Sequence, residues 1–203
     1  MTPDPITAPA AEPAPELRRR LRDGQPDAFD AVAVAFFGDL SRYAQSMLGC
    51  PEAAFDAVQE AFLTVLERHR LYDPERPLRP WLFAVCRNCC LQQARRRSAH
   101  EARVVSLEAT EEEVRRLAAD APSPSELARL RESEEGARRL LAELSPEQRE
   151  IVVLHLFEEF TFREIGELTG RPLQAVAATY YRSLQRLRRV LAESGAGSVS
   201  DVL

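Results

Sequence analysis

The sequence predicts an all-α protein built from two small helical domains that are joined by a flexible acidic linker. Long runs rich in Ala, Leu, Arg and Glu favour helices. Only 8 glycines and an aromatic share of 7% disfavour an all-β fold. Acidic charge is concentrated in the middle of the chain, where residues 98–144 carry 7 Arg against 11 acidic residues. These observations together indicate two helical units with a polar connection between them.

The predicted organisation has two terminal tails, two domains and one linker. The N-terminal tail is rich in Pro and Ala and is expected to be disordered. The linker sequence "LEATEEEVRRLAADAPSPS" is acidic, poor in aromatic residues and expected to hold a short helix at 110–118. In chain order the parts are the tail at 1–15, the first domain at 16–97, the linker at 98–124, the second domain at 125–192 and the C-terminal tail at 193–203.

The first three helices of the first domain are predicted from their breaks. Asp23-Gly24 and Pro26 separate the first helix from the second, and Pro51 opens the third. Apolar residues of the third helix recur at i, i+3, i+7 and i+10, so they are expected to form one face toward the core. They are Phe55, Val58, Phe62 and Val65.

A fourth helix is predicted from about Trp81 to Arg97. The stretch "YDPERPLRP" at 72–80 holds three prolines and is expected to be a loop. The helix contains "CRNCC", in which Cys86, Cys89 and Cys90 fall close together. A metal site would need a second pair of ligands at a suitable spacing, and the sequence has none. We therefore interpret the cysteines as small side chains at packed helix positions.

The second domain is predicted to contain a helix-turn-helix. Three of its helices begin at the capping residues Ser125, Ser145 and Thr161. Gly170 ends the helix that Thr161 opens, and Pro172 starts the last helix. A helix, a short Gly-containing turn and a longer helix together form a helix-turn-helix.

The last helix has an inward apolar stripe and an outward face that is left for DNA. Its first half is rich in Ala, Gln, Thr and Tyr, and no positive charge lies between Arg171 and Arg182. The inward stripe consists of Val176, Tyr180, Leu184, Leu187 and Leu191. The outward face consists of Gln174, Ala175, Ala178, Tyr181, Arg182 and Gln185.

The composition also argues against several classes of protein. No stretch reaches the roughly 18 apolar residues that a membrane span needs, and the first residues lack the basic and apolar parts of a signal peptide. A cytoplasmic protein without membrane insertion is therefore expected. We recognise no nucleophile–base pair, phosphate-binding Gly loop or metal cluster. No catalytic residue, cofactor or metal is predicted, and the protein is not expected to be an enzyme.

Two separated parts of the chain resemble one known family. The segments are "RDGQPDAFDAV", "FDAVQEAFLTVLERHRLYDPERPLRPWLFAVCRN" and "LSPEQREIVVLHLFEEFTFREIGELTGRP". They resemble the bacterial sigma-70 family, specifically its extracytoplasmic-function (ECF) group, over roughly residues 16–97 and 126–191. No single motif is decisive, but the order, the spacing and the acidic linker agree. The resemblance implies a sigma factor that binds core RNA polymerase and directs it to promoters.

For the first domain, the resemblance implies sigma region 2, which docks on core polymerase. Asp56, Gln59 and Glu60 match the family's D-x-x-Q-E signature. Their spacing of i, i+3 and i+4 places them on one polar helix face, expected to lie opposite the stripe that contains Phe55. An acidic face suits a basic helix on a partner protein, whereas the alternative is a solvated face without a partner.

The resemblance assigns melting of the minus-ten element to the fourth helix. Trp81 matches the family's tryptophan near the melting surface, with plain core packing as an equal alternative. Asn88 stands where the family places an Asn close to the displaced strand, whereas Gln92 replaces the usual Asp. Basic grooves and aromatic stacking hold melted single strands. The basic residues assigned to this DNA are Arg87, Arg95, Arg96 and Arg97.

For the second domain, the resemblance implies sigma region 4, which reads the minus-thirty-five element as duplex. Gln174 could pair with adenine, and the methyl groups of Ala175 and Ala178 could touch thymine. Guanine reading is left to Arg171 or Arg182. The family's Lys and first Arg are replaced in this helix, which removes phosphate contacts. A weak or unusual minus-thirty-five preference is therefore expected.

Two alternatives stay open at the level of the sequence. One is a stand-alone helix-turn-helix regulator, which would leave the polymerase-binding character of residues 16–97 unexplained. The other is a divergent sigma-like protein whose last helix binds a protein partner, because Ala177, Tyr180 and Tyr181 make that helix unusually apolar. The expected partners are core RNA polymerase and promoter DNA, both duplex and melted. An anti-sigma factor is compatible with the resemblance and is left open.

Overall fold

The computed structural model of the chain describes residues 9–97, 109–119, 121 and 139–196, with side chains omitted at 97 and 191–196. Regular structure in these residues is entirely helical, so the predicted all-α class is confirmed. The chain divides into two compact units, Met1–Arg103 and Val104–Leu203. None of the described helices is both long and apolar enough to span a bilayer.

The described part of the first unit, residues 9–97, contains four α-helices, of which the second, third and fourth pack against one another. Pro51 opens the third helix as predicted, and Pro26, which was predicted as part of the break before the second helix, lies at the first position of that helix. Large fully buried side chains, among them Phe36, Tyr43 and Phe83, fill the core between them. The helices are α1 Pro15–Arg22, α2 Pro26–Leu48, α3 Pro51–Arg68 and α4 Leu78–Arg97, with a short 3-10 turn at His69–Leu71.

Helix α4 begins three residues earlier than predicted, so the loop is 72–77 rather than 72–80. Pro80 lies in the first turn, where its missing N–H leaves no hydrogen bond unmade. The N–H groups of Leu78 and Arg79 donate to the Glu12 carboxylate at 2.6 and 3.2 Å. The helix therefore takes its N-terminal cap from a residue that is remote in the sequence.

The prediction of a disordered tail at 1–15 is wrong for its second half. Residues 9–14 lie against the first unit, and Pro15 begins α1. The Ala10 N–H donates to Asp39 at 2.8 Å, and Asp39 is itself buried in α2. Residues 1–8 lie outside the described part of the chain.

The second unit contains the predicted linker helix and the predicted helix-turn-helix. The helix expected at 110–118 is present, and the predicted capping boxes at Ser145 and Thr161 are both formed. Residues 139–142 are helical, whereas the rest of the helix predicted from Ser125 lies outside the described residues. The bounded helices are α5 Glu111–Ala119, α6 Pro146–Val152, α7 Phe162–Thr169 and α8 Leu173–Ala196.

Helix α6 does not continue as an ordinary α-helix, because a π-helical turn follows at Val153–Phe157. The Glu158 N–H donates to the Val153 carbonyl at 3.1 Å, which is the i to i−5 pattern of that turn. The following backbone reverses so that the Phe160 carbonyl lies 2.7 Å from His155 Nδ1. This reversal leads the chain into α7 and the helix-turn-helix.

Candidate polymerase-binding and promoter-binding surfaces

The residues predicted to bind core polymerase lie together on one surface of α3. Asp56 and Gln59 are exposed, and Glu60 is partly exposed. Glu60 Oε2 lies 3.8 Å from Arg96 Nη1 of α4, so Glu60 stands at the border between α3 and α4. Asp56 and Gln59 are therefore the polar groups of this set that are most open to a partner.

The prediction that Phe55 faces the core is wrong. Phe55 is 49% exposed, and its ring meets that of Phe37 from α2 at a centroid distance of 6.4 Å. Leu63 and Leu66 of α3 are also more than half exposed. The face of α3 that is buried consists mainly of smaller side chains, namely Ala53, Ala54, Ala57, Val58, Ala61 and Val65.

The surface that carries the acidic residues is therefore amphipathic rather than purely polar. Gln59 follows Phe55 by four residues and precedes Leu63 by four, so all three share one side of the helix. We call this set the α3 surface. Its members are Phe55, Asp56, Gln59, Glu60, Leu63 and Leu66.

A groove of about 610 Å³ lies between α3 and α4. Trp81, Asn88 and Arg95 line it from α4 at successive intervals of seven residues, so three of the predicted DNA-contacting residues are brought to one side of that helix. Glu60 and Glu67 line it from α3. The groove thus has mixed charge, because α3 adds acidic side chains to the basic and aromatic ones that were expected from α4.

Trp81 is partly exposed at one end of this groove. Its ring packs on that of Tyr72 with a centroid distance of 5.0 Å and a tilt of 37°. The Tyr72 hydroxyl donates to the Arg76 carbonyl at 2.6 Å, and burial raises the pKa of Tyr72 to about 12. Trp81 is therefore packed on one side and open on the other. The packed side agrees with a role in the core, and the open side agrees with a place at the melting surface.

The other predicted arginines do not all gather at the groove. Arg87 does not line it, and Arg96 is exposed beside Glu60. The side chain of Arg97 lies outside the described residues. Among the three arginines of the predicted set whose side chains are described, Arg95 lines the groove.

The helix-turn-helix frame formed by α7 and α8 is confirmed. Gly170 has φ +73°, a left-handed conformation that suits glycine at the end of a helix. The Arg171 N–H donates to the Gly166 carbonyl at 2.9 Å. A Cβ atom on Gly166 would lie 2.7 Å from the Arg171 carbonyl oxygen, so the turn packs too closely for a side chain there.

An aromatic cluster joins the π turn, α7 and α8. His155 packs on Phe162 at 4.2 Å, and Phe162 meets Tyr180 at 5.3 Å and Tyr181 at 5.9 Å. Tyr180 is buried, as predicted, whereas Tyr181 is partly exposed. The aromatic character of α8, which suggested a protein partner, is thus explained in large part by packing within the unit.

Arg171 and Arg182, the two arginines expected to read guanine, each form an ion pair within the second unit. Arg171 pairs with Glu147 of α6, and its side chain is only 11% exposed. Arg182 pairs with Glu113 of α5. Gln174, the residue assigned to adenine, is partly exposed.

Helix α5 packs against α8 on the side that bears Arg182. Ala178 and Ala175 precede Arg182 by four and seven residues, so they lie on the same side of the helix. The prediction that both alanines face outward is wrong, because Ala175 is 4% exposed and Ala178 is fully buried. The acidic linker helix therefore covers part of the surface that the sequence assigns to DNA.

The cysteine cluster of α4 is buried, with Cys86, Cys89 and Cys90 at most 5% exposed. Burial raises the pKa of Cys89 to about 11, and a hydrogen bond with Cys90 and burial both raise that of Cys86. The described residues contain no group of three or more His, Cys, Asp or Glu side chains that could hold a metal. These features agree with the interpretation of the cysteines as packed side chains.

Comparison with known proteins agrees with this arrangement. The family model for sigma-70 region 2 matches residues 35–100, and the model for sigma-70 region 4 matches residues 135–187. The chain is 30% identical to the RNA polymerase sigma factor CarQ of Myxococcus xanthus, over 86% of this chain and 95% of that protein. It is 32% identical to the ECF RNA polymerase sigma factor SigE of Mycolicibacterium smegmatis, over 75% of this chain and 57% of that protein.

A solved structure shares the fold. CnrH, determined in complex with the cytosolic domain of CnrY, superposes with a TM-score of 0.64 at 23% identity and covers 88% of this chain and 97% of CnrH. The chain belongs to the sigma-70 family of bacterial RNA polymerase sigma factors. Within that family it belongs to the ECF group, whose members are transcription initiation factors.

Proposed function

We propose that this sigma factor docks on core polymerase through the α3 surface and opens the minus-ten element with the groove between α3 and α4. The observation that carries this proposal is that the two features adjoin on the first unit, since Glu60 belongs to the α3 surface and also lines the groove. The chain would act in the cytoplasm and without catalysis of its own. The polymerase would catalyse RNA synthesis.

Docking is supported by the composition of the α3 surface. An exposed Phe beside two exposed Leu gives apolar area that water solvates poorly, and Asp56 adds charge for steering and register. Contiguous apolar side chains at a protein surface mark sites for partners. The complementary surface on core polymerase would carry basic residues around an apolar centre.

Opening is supported by the contents of the groove. A base that leaves the duplex loses stacking of roughly 1–2 kcal/mol per step, and stacking on an aromatic ring returns about 1–3 kcal/mol per base. Trp81 offers the ring, Asn88 the amide for base edges, and Arg95 the charge for the backbone. Binding of the unstacked strand can therefore offset the cost of melting without an energy source.

Region 4 would contribute less to promoter binding. For duplex reading, Arg171 and Arg182 must exchange Glu147 and Glu113 for phosphates or bases. That exchange reduces the net gain from each contact, and the helix has lost basic residues relative to its family. A modest minus-thirty-five preference follows.

Reconstitution tests the proposal. The purified chain is mixed with bacterial core RNA polymerase, co-elution is measured by gel filtration, and promoters are mapped from transcripts made on fragmented genomic DNA. We expect co-elution and discrete transcription starts with the wild type, and loss of both with Asp56→Arg. Glu16→Arg reverses the same charge on exposed α1 and should leave both unchanged. Wild-type chain that binds duplex DNA without polymerase, and ignores Asp56→Arg, would instead indicate a stand-alone regulator.

A further inference from the structure

The N-terminal segment at residues 9–14 is the feature that the proposed function does not yet use. It holds no helix of its own, and yet it contacts α2, α4 and α1 of the first unit. Its two anchors are the Ala10 N–H on Asp39 and the Glu12 carboxylate on the start of α4. Glu12 is the one charged side chain in this Pro- and Ala-rich segment, and it contacts α4, the helix that carries the residues proposed for melting.

Glu12 completes the first turn of α4. The first N–H groups of a helix have no partner within the helix and need a cap. Pro80 has no N–H, so Leu78 and Arg79 bear the only such groups among the first three residues, and both donate to Glu12. Pro77, directly before the helix, has no side-chain acceptor. A carboxylate at this end also interacts favourably with the helix dipole.

A chain of contacts leads from Glu12 to Trp81. Arg18 of α1 lies 3.9 Å from Glu12 and donates to the Arg76 carbonyl at 2.9 Å. The same carbonyl accepts the Tyr72 hydroxyl at 2.6 Å, and the Tyr72 ring supports the Trp81 ring. Glu12 and Arg18 together therefore fix the loop at 72–77 and the turn from which Trp81 projects.

We propose that Glu12 is a positioning residue for promoter opening, which acts by holding the first turn of α4 and thereby the ring of Trp81 at the groove. This inference rests on the proposed role of the groove in melting. The segment at 9–14 is then a functional part of the first unit rather than a passive tail. Its effect should appear in DNA opening and not in binding to core polymerase, because the α3 surface lies on a different helix.

The test measures open-complex formation on a mapped promoter that carries 2-aminopurine in the minus-ten region. Loss of a helix cap should reduce the opening equilibrium by about fivefold in Glu12→Ala. Glu12→Gln keeps one of the two acceptor oxygens but loses the charge, so its opening equilibrium should lie between those of the wild type and Glu12→Ala. Glu16→Ala removes the same charge four residues later, at an exposed position, and should change nothing.

Three further readouts separate a positioning role from a general loss of structure. Amide exchange at Leu78 and Arg79 should quicken in Glu12→Ala but not in Glu16→Ala. Co-elution with core polymerase should be unchanged. A template with a premelted minus-ten bubble should restore transcription by Glu12→Ala to nearly the wild-type level, since its strands are already open.

The outcomes distinguish this inference from the proposed function. Faster exchange at Leu78 and Arg79 with normal opening would mean that Glu12 caps the helix without affecting function, and the proposal would fail. Equal loss of core binding and opening, without rescue on the bubble, would also overturn it in favour of a general structural role. Failure of the wild-type chain to open any promoter with core polymerase would refute the proposed function itself.

Discussion

The two surfaces proposed to meet DNA differ in what already occupies them. In region 2, Trp81, Asn88 and Arg95 line an open groove, and the nearby Glu60–Arg96 pair is solvent-exposed at 3.8 Å. In region 4, α5 lies over the Arg182 side of α8, and Arg171 is nine-tenths buried beside Glu147. Exposed ion pairs are worth little, whereas a pair with a buried partner is harder to separate.

This difference indicates how promoter binding is divided between the units. In the proposed mechanism, the residues that line the groove of region 2 bind the melted strand where they stand. Arg171 and Arg182 of region 4 would first have to separate from Glu147 and Glu113 before they contact DNA. We therefore expect local acidic residues, rather than net charge alone, to set how much each surface contributes to promoter binding. The predictions below begin with the change that should have the greatest effect.

Phe55→Ser should weaken binding to core polymerase, and this should be the largest of the effects predicted in this section. Burying an aromatic side chain at an interface contributes about 1.5–3 kcal/mol, which corresponds to roughly tenfold to a hundredfold in affinity. The free chain should keep its melting temperature, because Phe55 is already half exposed. Fluorescence anisotropy with labelled chain and core polymerase measures the affinity. Val34→Ser, at an 85% exposed position of α2, provides a second apolar-to-Ser change for comparison.

Trp81→Ala should reduce open-complex formation by about tenfold, since stacking on one base contributes about 1–3 kcal/mol. Permanganate footprinting of thymines in the minus-ten region measures the opening. Trp81→Phe retains an aromatic face and should recover most of the activity. If a premelted bubble did not rescue Trp81→Ala, and its melting temperature fell sharply, the residue would serve the core and not the DNA.

Glu113→Ala should strengthen binding of the holoenzyme to the minus-thirty-five duplex by up to about fivefold, because a partly exposed ion pair is worth about 0.2–1 kcal/mol. The change frees Arg182 and loosens α5 from α8. Glu112→Ala is the matched control, because Glu112 pairs with Arg115 inside α5 at 2.9 Å. Equal affinities for the two variants would contradict the competition between α5 and DNA.

The last prediction concerns the cysteines, for which we expect differences in thiol reactivity and only a small effect on stability. Cys86, Cys89 and Cys90 are buried, whereas Cys50 is partly exposed, so the three buried thiols should react with iodoacetamide far more slowly than Cys50. The pKa of Cys89, which burial raises to about 11, slows its reaction further. Because its thiol ionises more readily when unfolded, Cys89 contributes stability below its unfolded pKa of about 9, and that contribution is lost as the pH rises toward 11. Mass spectrometry of labelled peptides measures the relative rates at which the four cysteines react with iodoacetamide. Zinc that protected the three buried thiols would contradict the packing interpretation.

Local signals in the sequence predicted most of the fold. Prolines at helix starts, the two capping boxes and Gly170 each determine the backbone conformation of only a few neighbouring residues. The structure confirms their positions. The start of α4 was missed because its cap comes from Glu12, and such a pairing leaves no local pattern. The only hint was the absence of a capping side chain at Pro77.

The errors at the candidate sites have a common physical cause. On α3 the bulky residues were assigned to the core, whereas Ala53, Ala57 and Ala61 form the close helix contacts and leave Phe55 outside. On α8 the outward side was assigned to DNA, although α5 packs against the part of it that bears Arg182. Periodicity identifies the sides of a helix, but it does not reveal which side a distant element will occupy.

The most direct test of this division compares two altered promoters in one binding assay. Holoenzyme affinity is measured for the mapped promoter, for one with a scrambled minus-ten element and for one with a scrambled minus-thirty-five element. If region 2 supplies most of the binding, scrambling the minus-ten element should abolish stable complexes, whereas scrambling the minus-thirty-five element should lower affinity only a few-fold. A larger loss from the minus-thirty-five change would contradict the central claim that region 2 supplies most of the promoter binding.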